Sequence, residues 1–365
     1  MKSFGTRAVR SGLPHDTNTG ALVEPICLTA TFAQQDIASS TGPYVYSRSG
    51  NPNRESFERA VADVESANHA LAFSAGASSE LSHRVHGKPL RRTHRYLTQL
   101  APAFRVKVSF VDDIHTELAP LIDESDNKIR IVWIETLPLV NIQAVADMSH
   151  ATGALVVVDN TFLSPYIQNP LKHEADIVLH SVTKYMNGHS TVPRSSLRYR
   201  SFRMQQEVCP VLLTLGLPTA GSTALHFRAP RASHTSWELA NALEASSDVL
   251  TVNYPDLANH PQRRIAIQQH RNGLGGGMIS FQIRGGSKAA ATFCEATQLF
   301  TFAESLGGLE SLCEIPAEMT HKGVPKDVRE KGGIYDDLIR LSVGVEDMDD
   351  LKRDLLEALQ KAIHE

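Results

Sequence analysis

Cysteine is scarce in this 365-residue chain: Cys27, Cys209, Cys294 and Cys313 are scattered, and none stands in a Cys-x-x-Cys spacing. That excludes a disulfide framework and a thiolate zinc site, and leaves reduced buried thiols as the reading. No apolar run is long enough to cross a bilayer, and Met1 to Arg7 leads into polar residues without the apolar core of a secretory signal. A cytoplasmic protein without membrane attachment is expected. Neither sign of charge dominates: 36 Lys and Arg stand against 40 Asp and Glu, a formal net charge of -4. This gives no electrostatic case for nucleic acid as a partner. The short basic run Arg194, Arg198, Arg200 and Arg203, with Tyr199 and Phe202 interleaved, reads as a solvated segment. Among sixteen histidines, the pairs His83/His86 and His180/His189 lack a third ligand at usable spacing, so no metal is expected. Internal repeats are absent. Gly273 to Gly277 precedes an apolar run, Met278 to Phe281, instead of following one, which removes the context of a nucleotide loop.

The length is too great for one ordinary core and suits two domains behind an extension: an N-terminal arm over 1–40, a large domain over 41–230 and a smaller one over 231–365. The arm mixes Gly, Pro and Thr with little periodicity. Helical spacing at Phe57, Ala60, Val61 and Val64 is followed by a short strand, Ala70 to Phe73, that ends at Ser74-Ala75-Gly76. Three β-rich runs, Ile129–Ile134, Leu155–Val158 and Ile177–Leu179, alternate with helical stretches such as Ile142–Ala151, which predicts an α/β fold with a mainly parallel sheet. Further helices are predicted from Trp237 to Ala245 and from Met348 to Ala362, the latter with Asp early and Lys361 late.

Chemistry gathers at the ends of two of those runs. Val156-Val157-Val158 ends in Asp159, and Ile177-Val178-Leu179 runs into His180-Ser181-Val182-Thr183-Lys184. Parallel sheets place ligands at the carboxyl ends of their strands. An acid there and a lysine in Ser-x-Thr-Lys match the way a pyridoxal 5'-phosphate (PLP) enzyme holds the ring nitrogen and forms its Schiff base. Asp159 could instead cap a helix from Asn160 onward.

Four further strings join these: Tyr44 to Arg54 (YVYSRSGNPNR), Leu71 to Gly76 (LAFSAG), Ala303 to Leu312 (AESLGGLESL) and Asp337 to Gly344 (DLIRLSVG). Together they resemble the cysteine and methionine metabolism family of fold-type I PLP-dependent enzymes, most closely its fungal γ-lyase branch. The resemblance implies an aspartate aminotransferase-like fold, a large domain and a smaller α/β C-terminal domain, and γ-elimination on cystathionine to cysteine, 2-oxobutyrate and ammonia. It implies a homo-oligomer, a dimer of dimers whose active sites are shared between subunits. Lys184 would be the catalytic lysine, with Asp159, Gly76, Ala77, Ser181 and Thr183 holding the cofactor and Tyr46 and Arg48 reaching its phosphate from the neighbouring subunit. Arg340 would grip the substrate carboxylate, beside Ser305 and Glu304. For Arg340 a structural salt bridge is the alternative. A γ-synthase shares nearly every motif, and a catalytically weak subunit that assembles with an intact paralogue is the reading from another class.

The resemblance stops in three places. Around 78–92 the chain lacks the aromatic that stacks on the cofactor ring in the family, and Leu90 stands nearest its place. At 137–140, Leu137-Pro138-Leu139 replaces a Thr-Asn-Pro-Thr turn. From Thr191 to Thr223 nothing matches, and likeness returns at Leu225-His226-Phe227-Arg228. Loss this abrupt predicts a misread or decayed coding segment and impaired activity.

Overall fold

The computed structural model describes residues 2–12, 19–35, 42–47, 49–73, 97–98, 105–111, 113–124, 129–136, 139–190, 195–197 and 221–364. Several sequence expectations lie outside these: Arg48, Gly76, Ala77, Cys209, His83, His86, the 78–92 segment and nearly all of the basic run and of 191–220.

Among the described residues two five-stranded sheets organise the chain. The first runs in the order β1 (Leu71–Phe73), β5 (Ser195–Leu197), β4 (Ile177–Ser181), β3 (Leu155–Asp159), β2 (Ile131–Glu135). Strands β2, β3 and β4 are parallel, whereas β5 pairs antiparallel with both β4 and β1. The parallel strands are runs of Ile, Val and Leu because both of their faces are covered. Val132, Val156, Val157 and Val158 are fully buried. The predicted helix between β2 and β3 spans Ile142–His150, and Asn141 caps it by accepting the Ala144 N–H at 3.2 Å. The helix predicted from Phe57 begins earlier, at Pro52, where a proline at the first turn and the Asn51 cap give a start that hydrophobic spacing alone does not show. Segment 191–223, for which the sequence predicts no family likeness, supplies β5.

The second sheet runs β6 (Val249–Asn253), β7 (Met278–Ile283), β10 (Ile339–Ser342), β9 (Leu312–Glu314), β8 (Thr301–Phe302), antiparallel except for β8 beside β9. Helices Gly286–Ala296 and Met348–His364 cover it through Ala290, Phe293, Leu351, Leu355 and Leu359, the last three at the i, i+4, i+8 spacing of one helix face. Phe281 and Phe293 meet edge to face with centroids 5.4 Å apart, worth about 0.5–1.5 kcal/mol beyond their area. Helix Leu225–Glu244, which contains the stretch predicted from Trp237, packs on both halves of the chain and runs through the expected 230/231 division.

Near the N-terminus, where no periodicity was visible, a short helix spans Phe4–Arg10. Its i, i+4 pair Phe4 and Ala8 is buried in a cluster with Leu225 and Ala229, so tertiary packing overrides a weak local signal. Residues 19–35 form neither helix nor strand, and Leu22, Val23, Ile26 and Leu28 are exposed. Among the described residues no helix is long and apolar enough to cross a membrane.

Candidate active site

Because β3 and β4 are parallel neighbours, with Asp159 opposite Leu179, their exits open on one edge of the sheet. Lys184 follows β4 in a tight hydrogen-bonded turn, closed by its own N–H on Ser181 O at 3.0 Å and by the Gly188 N–H on Lys184 O at 2.8 Å. From that turn Lys184 Nζ donates to Ser305 Oγ at 2.6 Å. Ser305 sits at φ 124, a region an L residue enters only when its surroundings force it, at a cost on the order of 1–3 kcal/mol. In this conformation its hydroxyl meets Lys184 while its carbonyl accepts Arg340 Nη2 at 2.9 Å. One serine thus joins the lysine of the first sheet to the arginine of the second.

Arg340 also engages an acid that the sequence reading did not name. On adjacent antiparallel strands Arg340 lies directly opposite Glu314, and Nη2 stands 2.9 Å from Oε2. The salt-bridge alternative for Arg340 is therefore realised in the structure, alongside its position in the site. Glu314 is buried; Oε1 accepts the Thr320 hydroxyl at 2.8 Å, whereas Oε2 lies off the N–H directions of Arg340. Burial pushes the Glu314 carboxyl up, and Arg340 opposes that shift. Burial likewise lowers Arg340, with Glu314 and then Glu304 opposing. Glu304 itself is exposed beside this pair.

At the other end of the site Asp159 is 6% exposed and accepts the Thr161 N–H at 3.0 Å. No helix begins at Asn160; the next one is Ser164–Ile167, so Asp159 closes a local turn and does not cap a helix there. Thr161 Oγ1 in turn accepts the Ser181 N–H at 2.8 Å, which fixes β3 to β4 at the edge. Burial raises the Asp159 carboxyl, opposed by Thr161 and by His180. His180 Nε2 pairs with Glu65, both side chains 2% exposed. His180 is a core histidine, as the sequence allows; Glu65 lies 115 positions away, and no local pattern announces the pair. Ser181, Thr183 and Tyr46 are half-buried, Tyr46 in a bridge to Thr31.

The residues fit the ring end of PLP. A carboxylate whose burial disfavours its charge is suited to a cationic ring nitrogen, which would shift its pKa back by roughly 1–3 units. A half-buried lysine on the same edge is suited to the aldehyde. The residues expected at the phosphate, Gly76, Ala77 and Arg48, lie outside the described set.

Fold and site together define a PLP-dependent enzyme of fold type I. Residues 5–360 match the model of the Cys/Met metabolism PLP-dependent enzyme family. Cystathionine γ-lyase of Saccharomyces cerevisiae is 46% identical over 388 aligned positions, covering 98% of each chain. The crystal structure of the yeast enzyme superposes with a TM-score of 0.93 at 44% identity, over 100% of this chain and 99% of that one. Cystathionine γ-synthase from Xanthomonas oryzae pv. oryzae, solved with cystathionine, gives 0.91 at 32% identity, over 100% and 99%. The chain belongs to the Cys/Met metabolism family of PLP-dependent enzymes, as a carbon–sulfur lyase of the cystathionine γ-lyase type.

Proposed function

We propose that the protein cleaves cystathionine to cysteine, 2-oxobutyrate and ammonia. The observation that carries this reading is the junction at Ser305, where an amine-handling lysine and a carboxylate-binding arginine meet on one residue, in a chain 46% identical to a cystathionine γ-lyase. When bound, PLP supplies the electron sink that makes carbanion chemistry at the substrate α-carbon accessible. Asp159 would keep the ring nitrogen charged. Lys184 takes the proton from the α-carbon and delivers one further along the chain, close enough to Ser305 Oγ to hand its own proton away. Arg340 fixes the α-carboxylate, and Glu304, exposed at the mouth, favours a substrate with a distal ammonium group. Ser181, Thr183, Gly76 and Ala77 would serve the phosphate, joined by Tyr46 and Arg48 of a neighbouring subunit. The assembly is read as a homo-oligomer, a dimer of dimers, acting in the cytoplasm, with an arm, a large domain and a small domain whose expected 230/231 division falls inside helix Leu225–Glu244.

The γ-synthase reading is favoured by one observation, the 0.91 superposition on a synthase solved with cystathionine. An assay of cystathionine cleavage beside one with an activated homoserine ester plus cysteine separates the two. Predominant turnover in the second assay overturns the lyase reading.

The divergent segments support a weakened enzyme. The alignment with the yeast relative runs over 388 positions, more than the 365 this chain possesses, so the relative carries stretches that are missing here. Restoring family-like sequence after Gly76, Thr136 and Ser190 should raise activity. An unrepaired chain that turns over cystathionine at an ordinary enzyme rate, roughly 1–10³ s⁻¹, overturns the impairment.

A further inference from the structure

The turn that carries Lys184 ends in a difficulty that a distant residue resolves. Its last carbonyl bonded within the turn is Lys184 O, which accepts the Gly188 N–H. The carbonyls of Tyr185 and Met186 come after it on residues that are 4% and 1% exposed, where water does not reach and an unpaired carbonyl is costly. Arg228, in helix Leu225–Glu244, meets them: Nη2 stands 2.8 Å from Tyr185 O, 3.4 Å from Met186 O and 2.8 Å from Gly221 O. The guanidinium is buried, and among the described residues no carboxylate pairs with it. Burial draws its pKa down to about 10, which still leaves it a cation at neutral pH.

The backbone is shaped around this contact. Gly188 has φ +71, and a Cβ there would fall 2.4 Å from Arg228 Nη1; a Cβ on Gly221 would fall 2.1 Å from Asn187 O. On the opposite side, the Leu309 N–H donates to Gly188 O at 2.9 Å, and Gly307 packs so closely that a Cβ would lie 2.7 Å from Tyr185 N. That second wall follows directly on Ser305, the acceptor of Lys184 Nζ. The lysine-bearing turn is therefore held between Arg228 and the Ser305–Leu309 segment.

We propose that Arg228 is a positioning residue for Lys184: by closing the end of the turn it fixes the geometry at which the lysine amine meets Ser305. The proposal rests on reading Lys184 as the reactive lysine, and its test keeps the two apart. The full-length chain, Arg228→Met and Arg228→Lys are compared. Acetylation of Lys184 by acetic anhydride across pH, followed by peptide mass spectrometry without added PLP and referenced to exposed Lys361, reports the lysine's own rate and titration midpoint. Borohydride reduction after PLP loading reports cofactor fixed on Lys184, and a thermal melt reports folding.

In Arg228→Met the relative acetylation rate of Lys184 should rise roughly tenfold, as expected when buried carbonyls lose their donor and the turn opens. Arg228→Lys should bring it back to within about twofold, because charge and donors return. A Lys184 rate and midpoint unchanged in Arg228→Met, with only the melt lowered, overturns the positioning role. Should Arg228→Met fail to fold, Arg228→Gln carries the same comparison with an expected change of about threefold, and no change there overturns it equally. A wild-type chain without PLP fixed on Lys184 would overturn the cofactor reading instead, whatever the acetylation rates show.

Discussion

The two sheets use burial differently. Beneath the second sheet the core is largely apolar, from Leu239 through Phe281 and Phe293 to Leu359; of its buried acids, Asp354 works as a cap, accepting the N–H groups of Gln298 and Leu299 at 2.8 and 2.9 Å, and Glu314 pairs with Arg340 on the face toward the site. Around the first sheet the interior also holds Arg54, Glu58, Glu65, Asp159, His180 and Arg228. Buried charge adds little stability against an apolar substitute of the same shape, but it fixes orientation where a charge must be presented. The difference separates a half that holds the fold from a half that holds the reagent, and Arg340 crosses from one to the other.

The sharpest division should come from Lys184→Ala. Cystathionine cleavage should fall by about 10³-fold or more, with the melt unchanged, since a half-buried lysine bonded to Ser305 contributes little to packing. Retained activity would move the chemistry to another lysine. Phe281→Ala should do the reverse, costing about 3–5 kcal/mol in denaturant titration while the folded fraction still fixes PLP on Lys184. Loss of labelling in protein that remains folded would show that the second sheet shapes the site directly. Arg340→Ala tests the crossing point. Substrate affinity should weaken by about 2–5 kcal/mol, and Glu314 loses its counter-ion; unchanged affinity assigns Arg340 to the Glu314 pair alone.

The smallest expected effect concerns His270, at the junction of the halves, whose backbone bridges Gln168. Its Nδ1 lies 2.8 Å from Leu274 O, which requires the Nδ1–H tautomer, and Nε2 is buried without a partner. Burial lowers its pKa from 6.5 to about 4. Below 6.5 the unfolded chain therefore binds the proton that the folded chain refuses, so stability present above pH 6.5 is lost as pH falls toward 4. The loss is on the order of 3 kcal/mol over that window. His270→Gln should flatten this part of the stability profile relative to wild type; parallel profiles would remove His270 as its source.

Strands β2 to β4 were legible because buried parallel strands leave unbroken β-branched runs, and attention fell on Asp159 and Lys184 because one ends such a run and the other stands in the turn that follows one. Their surroundings were not. Glu314 faces Arg340 only through strand register, Glu65 meets His180 across 115 positions, and Arg228 reaches Tyr185 from a helix 43 positions later. None of these leaves a periodic trace. Leu139, in the segment where the sequence predicts a departure from the family, has its N–H on Gln262 Oε1 at 3.1 Å and its carbonyl on Gln262 Nε2 at 2.7 Å. Helix Arg263–Gln269 extends the attachment through Gln269 to Val140 and Ile142. That segment is seated by glutamines whose reach only the folded chain reveals.

The placement of β1 bears on biosynthesis. Its described sheet neighbour is β5 alone, Leu71 facing Leu197, and the N-terminal helix is buried against Leu225 and Ala229. On the ribosome, Phe4 and Ala8 must wait for that surface, roughly 10–40 s at ordinary elongation rates. During this interval helix Phe4–Arg10 can meet Val64 of helix Pro52–Val64 but lacks the rest of its apolar surface. Chaperone dependence should therefore concentrate on its first seventy residues, and slowing translation should lengthen their exposure without touching any catalytic group.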